Sequence, residues 1–241
     1  MTVAVEAEAH PATSQNVHAD LGPDTAEAVL LTSHVDAHDI AEGALDNGAG
    51  TATVVEVVRA LAARDDELET RVHVVCFGAE EVGLVGSGHD AAARDPESVR
   101  AVLNCDGVVG ARTLSLHTHG FEGLDRAVDR VRERFDHPIA TTPELMPHSD
   151  HWPYVARGVP GVHAASAADE AGRGWGHTRA DTLDKLESRT LREQAVLLTE
   201  LAVTLAGADA ELERREPNDI AAQAEREGLA AGMQITADWP F

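Results

Sequence analysis

Short apolar runs alternate along this chain with segments whose apolar residues recur at helical spacing. Ala28–Ser33 is nearly all apolar and reads as a buried strand, as do Arg71–Gly78 and Val99–Cys105. Between them, Val54, Val55, Val58, Leu61 and Ala62 fall on one helical face up to Arg64, so a helix is expected to start near Asp46–Gly50. Thr2–Ala9 alternates apolar and polar residues and predicts a half-exposed strand; Asn16–Leu21 predicts a second short one. Further along, the pattern predicts a short helix at Ser87–Arg94, a strand at Thr113–Leu116 and an amphipathic helix at Gly120–Phe135. Ser149 as an N-cap would open a short helix through Val155. A strand at Gly158–Val162 and helices at Leu191–Leu205 and Asp219–Leu229 complete the set. Strand–helix alternation with short connections predicts an α/β fold, a three-layer α/β/α sandwich around a central mixed, mainly parallel sheet.

What changes this picture from a fold to a function is where the apolar runs stop. The first ends on His34 and Asp36, the second on Ala79-Glu80-Glu81, the third on Asp106. In open α/β sheets functional groups collect just past the C-terminal ends of strands. Glu80 and Glu81 beside Asp106 would repel one another without a counter-charge. Imidazole and carboxylate together suit a borderline divalent cation. Adding Asp46 from the glycine-rich turn, His151 and His177 gives a set large enough for two ions. If Asp46 bridges, His34 and Asp106 complete one ion, and Glu81 and His177 the other. Glu80, left uncoordinated, can take a proton from a bridging water, which would then act as a metal-bridging hydroxide. Asp36, two residues beyond His34, suits the task of orienting its imidazole.

Composition removes several alternatives. The 241 residues are enough for one domain, with no repeat or linker. There are 42 acidic against 19 basic residues, a formal charge of -23, and Lys185 is the only lysine. Such a surface is wrong for nucleic acid or an anionic membrane, both of which need a basic face. It matches instead a surface kept soluble at high salt, as in a halophile. Cys76 and Cys105 lie inside apolar runs without metal-ligand spacing and are expected as buried free thiols. No signal peptide or membrane-length apolar run is visible, so a cytoplasmic protein is expected.

Five segments in order, HVDAHDIAEGALDNGAG, GAEEVGLVGS, NCDG, SDHWPYVARGVPGV and GHTRADTLDKLE, resemble the signatures of the M28 family of zinc aminopeptidases over roughly Asn16 to Ala206. The resemblance implies two co-catalytic Zn²⁺ ions (Co²⁺ or Mn²⁺ would suit the same ligands) and hydrolysis of N-terminal amino acids from peptides with a free N-terminus. It makes His34, Asp46, Glu81, Asp106 and His177 the metal ligands, Glu80 the general base and acid, and Asp36 the residue behind His34. It also implies a cis peptide bond between Asp46 and Asn47. Two departures stand out. The family usually begins with a further helix and strand, so this chain would be a shortened form with a sheet edge open to another subunit, which favours a homo-oligomer, or Met1 is a misplaced start. Some members steady the tetrahedral intermediate with a tyrosine; the only tyrosine, Tyr154, falls in the SDH segment, which leaves His151 as the candidate for that role or as a structural residue. Trp152 and Trp175 would either line a substrate pocket or simply pack. The rival readings are a one-zinc glutaminyl cyclase-like enzyme on the same scaffold and a catalytically silent subunit.

Overall fold

The computed structural model describes residues 4–8, 10–167 and 174–241. Its framework is a seven-stranded mixed sheet. In chain order the strands are β1 (Val17–Leu21), β2 (Ala28–His34), β3 (Arg71–Phe77), β4 (Val99–Cys105), β5 (Leu114–His117), β6 (Ile139–Thr142) and β7 (Gly161–Ser166). They lie side by side as β1-β3-β2-β4-β7-β5-β6. β1 runs antiparallel to β3, and β5 antiparallel to β7; the other four pairings are parallel.

Every residue of β2 is buried, as a strand covered on both faces requires. The pleat then divides the core. Val29, Leu31, Val72, Val74, Ala101 and Leu103 point to the face carrying α1 (Gly50–Ala62) and α5 (Ser188–Ala206), with α3 (Glu122–Phe135) beside α5. Leu30, Val75, Phe77 and Val102 point to the other face, against Ala91 of α2 (Val85–Ala93) and Tyr154 of α4 (Trp152–Val155). Helices on both faces make the three-layer α/β/α arrangement that the alternation of elements predicts. Because β3 and β4 flank β2 on opposite sides, their crossovers part at its C-terminal end. This opens the crevice where such folds bind ligands.

Several boundaries differ from the sequence reading. Residues 4–8 are exposed and form no strand; residues 1–3 and 9 of the expected strand lie outside the described residues. The strand expected at Gly158–Val162 is displaced to β7. Pro160 has no N–H to give a ladder, and Gly158, at φ +86°, turns where a Cβ would strike the Arg215 carbonyl. Ser149 does not cap α4; the residue before that helix is His151, which makes no side-chain cap either. β6 is too short for a periodic signal, the helix expected at Asp219–Leu229 is α6 (Pro217–Arg226), and a further helix, α7 (Ala230–Thr236), follows it. Cys105 is a buried free thiol, whereas Cys76 is only half-buried.

Candidate metal centre

His34 is the last residue of β2 and its side chain is 1% exposed. Its Nδ1 lies 3.0 Å from the Asp36 backbone carbonyl, so the ring proton belongs there and donates to that oxygen. Nε2 is left facing Asp46 Oδ1 at 3.2 Å and Asp106 Oδ1 at 3.5 Å. Among the described residues this buried nitrogen has no hydrogen-bond partner. Burial pulls the imidazole's pKa down, but Asp106, Asp36 and Asp46 outweigh it and hold it far above the ordinary histidine value. The pocket therefore calls for a cation at that nitrogen, and a lone pair directed between two carboxylates is what a divalent metal would use.

Asp46 stands between two such groups. While Oδ1 faces His34, Oδ2 lies 3.0 Å from His177 Nε2, and that nitrogen is also 3.0 Å from Glu81 Oε2. Ligand-type atoms of His34, Asp46 and Asp106 lie within 4.8 Å of one another, and so do those of Asp46, Glu81 and His177. One carboxylate belongs to both. Glu81 Oε1 is likewise buried without a hydrogen-bond partner among the described residues. The donor set of imidazoles and carboxylates, with orphaned atoms turned inward, fits two divalent ions.

The backbone at these positions is unusual. Asp46–Asn47 is a cis peptide. Asn47 donates from Nδ2 to the Cys105 carbonyl at 2.9 Å and accepts the Gly50 N–H on Oδ1. A Cβ at Gly50 would collide with both the Asn47 amide oxygen and the Cys105 carbonyl, so only glycine lets α1 start this close to β4. Ala79 and His177 both hold positive φ, 60° and 61°. Non-glycine residues rarely adopt this region, and such strained positions cluster at functional sites.

A layer of hydrogen bonds fixes these groups. Asp36 accepts the N–H of Glu80 and of Glu81, each at 3.1 Å, tying the exit of β2 to that of β3; its carboxylate also approaches His34 Nδ1 at 3.6 Å. Burial raises the Asp36 pKa, yet His34 and the two amides bring it below the usual carboxylate range. Asp106 Oδ2 accepts from Ser149 at 2.6 Å, Ser149 from Asn104 at 2.7 Å, and Asn104 from Thr32 at 2.7 Å. Although burial pushes Asp106 up, the adjacent His34 imidazole prevails, with His163 and Ser149 helping, and holds it at about 2. Glu80 goes the other way: burial pushes its carboxyl up to about 8, with Asp106, Asp150 and Glu81 adding repulsion against the pull of His34. Its Oε2 sits 4.0 Å from His34 Nε2.

His151 is not brought to this centre. It is fully buried, with Nε2 2.9 Å from the Met146 carbonyl and 3.1 Å from His119 Nε2, in a cluster with His117, His119 and His163. The Tyr154 hydroxyl points away too, donating to Asp90 at 2.5 Å. Sequence reasoning passed over Asp181, Ser149 and Asn104 as supports and His148 and His163 as neighbours; Asn104 and His163 are single polar residues inside apolar strands and the others lie in loops, so none carried a spacing of its own.

Two cavities, of about 440 and 490 Å³, flank the centre and share Asp46, Asp106 and His148. Trp152 lines the first, with Glu80, Glu81 and His177. Trp175, Met146 and His163 line the second.

The model of peptidase family M28 matches residues 16–202. Aminopeptidase YwaD of Bacillus subtilis is 25% identical over 183 residues, covering 72% of this chain and 40% of that protein. Leucine aminopeptidase 1 of Ajellomyces dermatitidis is 27% identical over 229 residues, covering 85% and 60%. A zinc aminopeptidase structure from Bacillus subtilis superposes with a TM-score of 0.71 at 23% identity, covering 85% of this chain and 53% of that one, which shows a shared fold. The chain thus spans 40% to 60% of the length of these curated relatives.

Proposed function

Since the chain belongs to peptidase family M28, we propose that it is a dizinc exopeptidase that removes amino acids from the free N-terminus of peptides. The observation that carries the proposal is Asp46, whose two carboxylate oxygens face His34 and His177 at 3.2 and 3.0 Å. A carboxylate that turns one oxygen towards each donor group is suited to bridge two cations.

His34, Asp46 and Asp106 would hold one zinc; Asp46, Glu81 and His177 the other. Bound there, zinc supplies Lewis acidity, which polarises a carbonyl and acidifies water. Glu80 is the base that takes the proton of the attacking water and returns it to the leaving amine. Glu80 lines the same cavity as the proposed ligands, with Oε2 4.0 Å from His34 Nε2, and belongs to neither ligand group, which leaves its carboxylate free to carry the proton. Asp36 keeps Glu80 and Glu81 in register through their amides and steadies the His34 ring. The carboxylates of the first cavity favour a cationic group such as a free α-ammonium. The acid-rich, lysine-poor surface supports work at high salt.

The test is metal analysis combined with hydrolysis of matched unblocked and N-blocked peptides. Two zinc ions per chain and loss of cleavage on N-blocking are expected. One ion per chain with cyclisation of N-terminal glutamine would favour the cyclase reading, and equal cleavage of blocked peptides would exclude an aminopeptidase.

A further inference from the structure

The segment after α7 returns to the candidate metal centre. Ala237 adopts a left-handed conformation, φ 64°, and the Asp238 N–H bonds back to the Met233 carbonyl at 2.8 Å, which turns the chain off the helix. Trp239 packs against the main core. Phe241 meets the Trp239 ring at 5.1 Å between centroids and the Trp152 ring at 6.4 Å, edge to face in both cases. Trp152 is itself buried and lines the cavity of about 440 Å³. Aromatic contacts of this kind add to the area they bury, and with the half-buried Trp239 they place the segment against Trp152. Held there, Asp238 and Pro240 form part of the wall of the same cavity that Glu80, Glu81 and His177 enter.

The composition of that wall points to an occupant. Of its five carboxylates, Asp46, Glu81 and Asp106 belong to the proposed metal ligands and Glu80 to the proposed proton shuttle; Asp238 has neither duty. Leu84, Pro147, Trp152 and Pro240 supply apolar surface, and among the described residues the wall contains no lysine or arginine. Asp238 and Pro240 are exposed and stand at the rim, Leu84 is half-buried, and Pro147 and Trp152 lie deeper. Apolar flanks with one anion at the rim suit a long side chain with a methylene stem and a cationic head, which buries its stem and keeps its charge near water.

We propose that Asp238, held by the Trp239–Phe241 anchor on Trp152, is a specificity-determining residue that selects a lysine or arginine side chain in the substrate residue occupying this cavity. The inference rests on the peptidase reading for its substrate class, and its test separates the two. Unblocked peptides carrying Lys, Leu or Asp on either side of the scissile bond would be compared for wild type and Asp238→Asn. At one of the two positions Lys is expected to exceed Asp in kcat/KM by roughly three- to tenfold, the range of a partly exposed charge pair. Asp238→Asn should abolish that preference, leave hydrolysis of the Leu peptide unchanged and bring the salt sensitivity of the Lys peptide down towards that of the Leu peptide. A parallel titration compares binding of lysinamide and norleucinamide, which differ only in the side-chain head. If no peptide is cleaved, the peptidase reading fails, while a lysinamide preference lost in Asp238→Asn still supports the cavity assignment. A Lys/Asp ratio that Asp238→Asn does not alter at either position overturns the proposal. So does equal weakening of both amides, which would make Asp238 a partner of the α-ammonium.

Discussion

Asp181 holds Asp46 by its backbone: Asp181 Oδ2 accepts the Asp46 N–H at 3.1 Å, and Oδ1 accepts the neighbouring Leu45 N–H at 2.7 Å. The two residues are far apart in sequence, and Asp181 is fully buried. An asparagine there offers one acceptor oxygen for two amides. Asp181→Asn should therefore leave a buried N–H unpaired, at a cost of about 1–3 kcal/mol, and loosen Asp46. Zinc affinity should fall roughly 10- to 100-fold, as for other residues that position metal ligands. Zinc titration calorimetry with denaturant unfolding would check both effects; unchanged affinity would mean that Asp181 does not position Asp46.

Glu80→Gln keeps the side chain's size and removes its ability to carry the proton. Zinc content should match wild type while turnover drops by roughly 10²- to 10⁴-fold, the usual contribution of a general base. Ordinary peptidase rates in this variant would eliminate Glu80 from the proposed chemistry.

Asp46→Ala removes the oxygens facing both His34 and His177. Native mass spectrometry should find fewer than two zinc ions per chain in this variant. His177→Ala, which strips only the second group, should retain one. Retention of two ions with wild-type affinity in Asp46→Ala would end the idea of a shared carboxylate.

The buried histidine cluster predicts a pH dependence. Burial, with the His163, His117 and Arg215 charges adding to it, lowers His119 to about 3, while its bond to the Gly161 carbonyl opposes this. A folded-state value below the unfolded one means that the unfolded chain binds the proton first. The linked stability is thus fully present above about pH 6.5 and is lost as pH falls through the window towards about 3. His119→Asn keeps a donor for Gly161 but cannot titrate. It should be less stable than wild type at neutral pH, with the gap closing by roughly 1 kcal/mol per pH unit below 6.5. Taking the difference cancels groups such as Glu80 and Asp150, whose raised values act in the opposite sense. A pH-independent gap would refute a neutral, buried His119.

With a formal charge of -23, the folded surface repels itself. Raising salt from about 0.1 M to about 1 M shortens the Debye length from about 10 to about 3 Å. Tm should rise by several degrees over that range, measured by calorimetry on the zinc-loaded protein so that metal loss does not intervene. A flat or falling Tm would remove the link between this composition and a saline setting.

Much of the framework could be read from the chain because burial on both faces forces β2, β3 and β4 to be apolar runs. Each run must stop where the sheet stops, so the polar residues that follow, His34, Glu80 and Asp106, are marked by position alone. The same logic fails for residues without a periodic neighbour. Ser149 looks like a cap in sequence, yet it spends its hydroxyl on Asp106. His151 sits in a motif beside the site but turns its ring into a buried cluster, because side-chain direction just before a short helix depends on what packs around it.

The sequence by itself determined the α/β architecture and the strand ends at which carboxylates and imidazoles gather, since hydrophobic period and strand length are local properties. Only the tertiary structure decided which atoms face one another: that Asp46 turns one oxygen to each histidine, that Asp181 grips it, and that residues 238–241 come back to wall the cavity. These are contacts between segments widely separated along the chain. They are set by how strands register and helices pack, and no local pattern of residues encodes them.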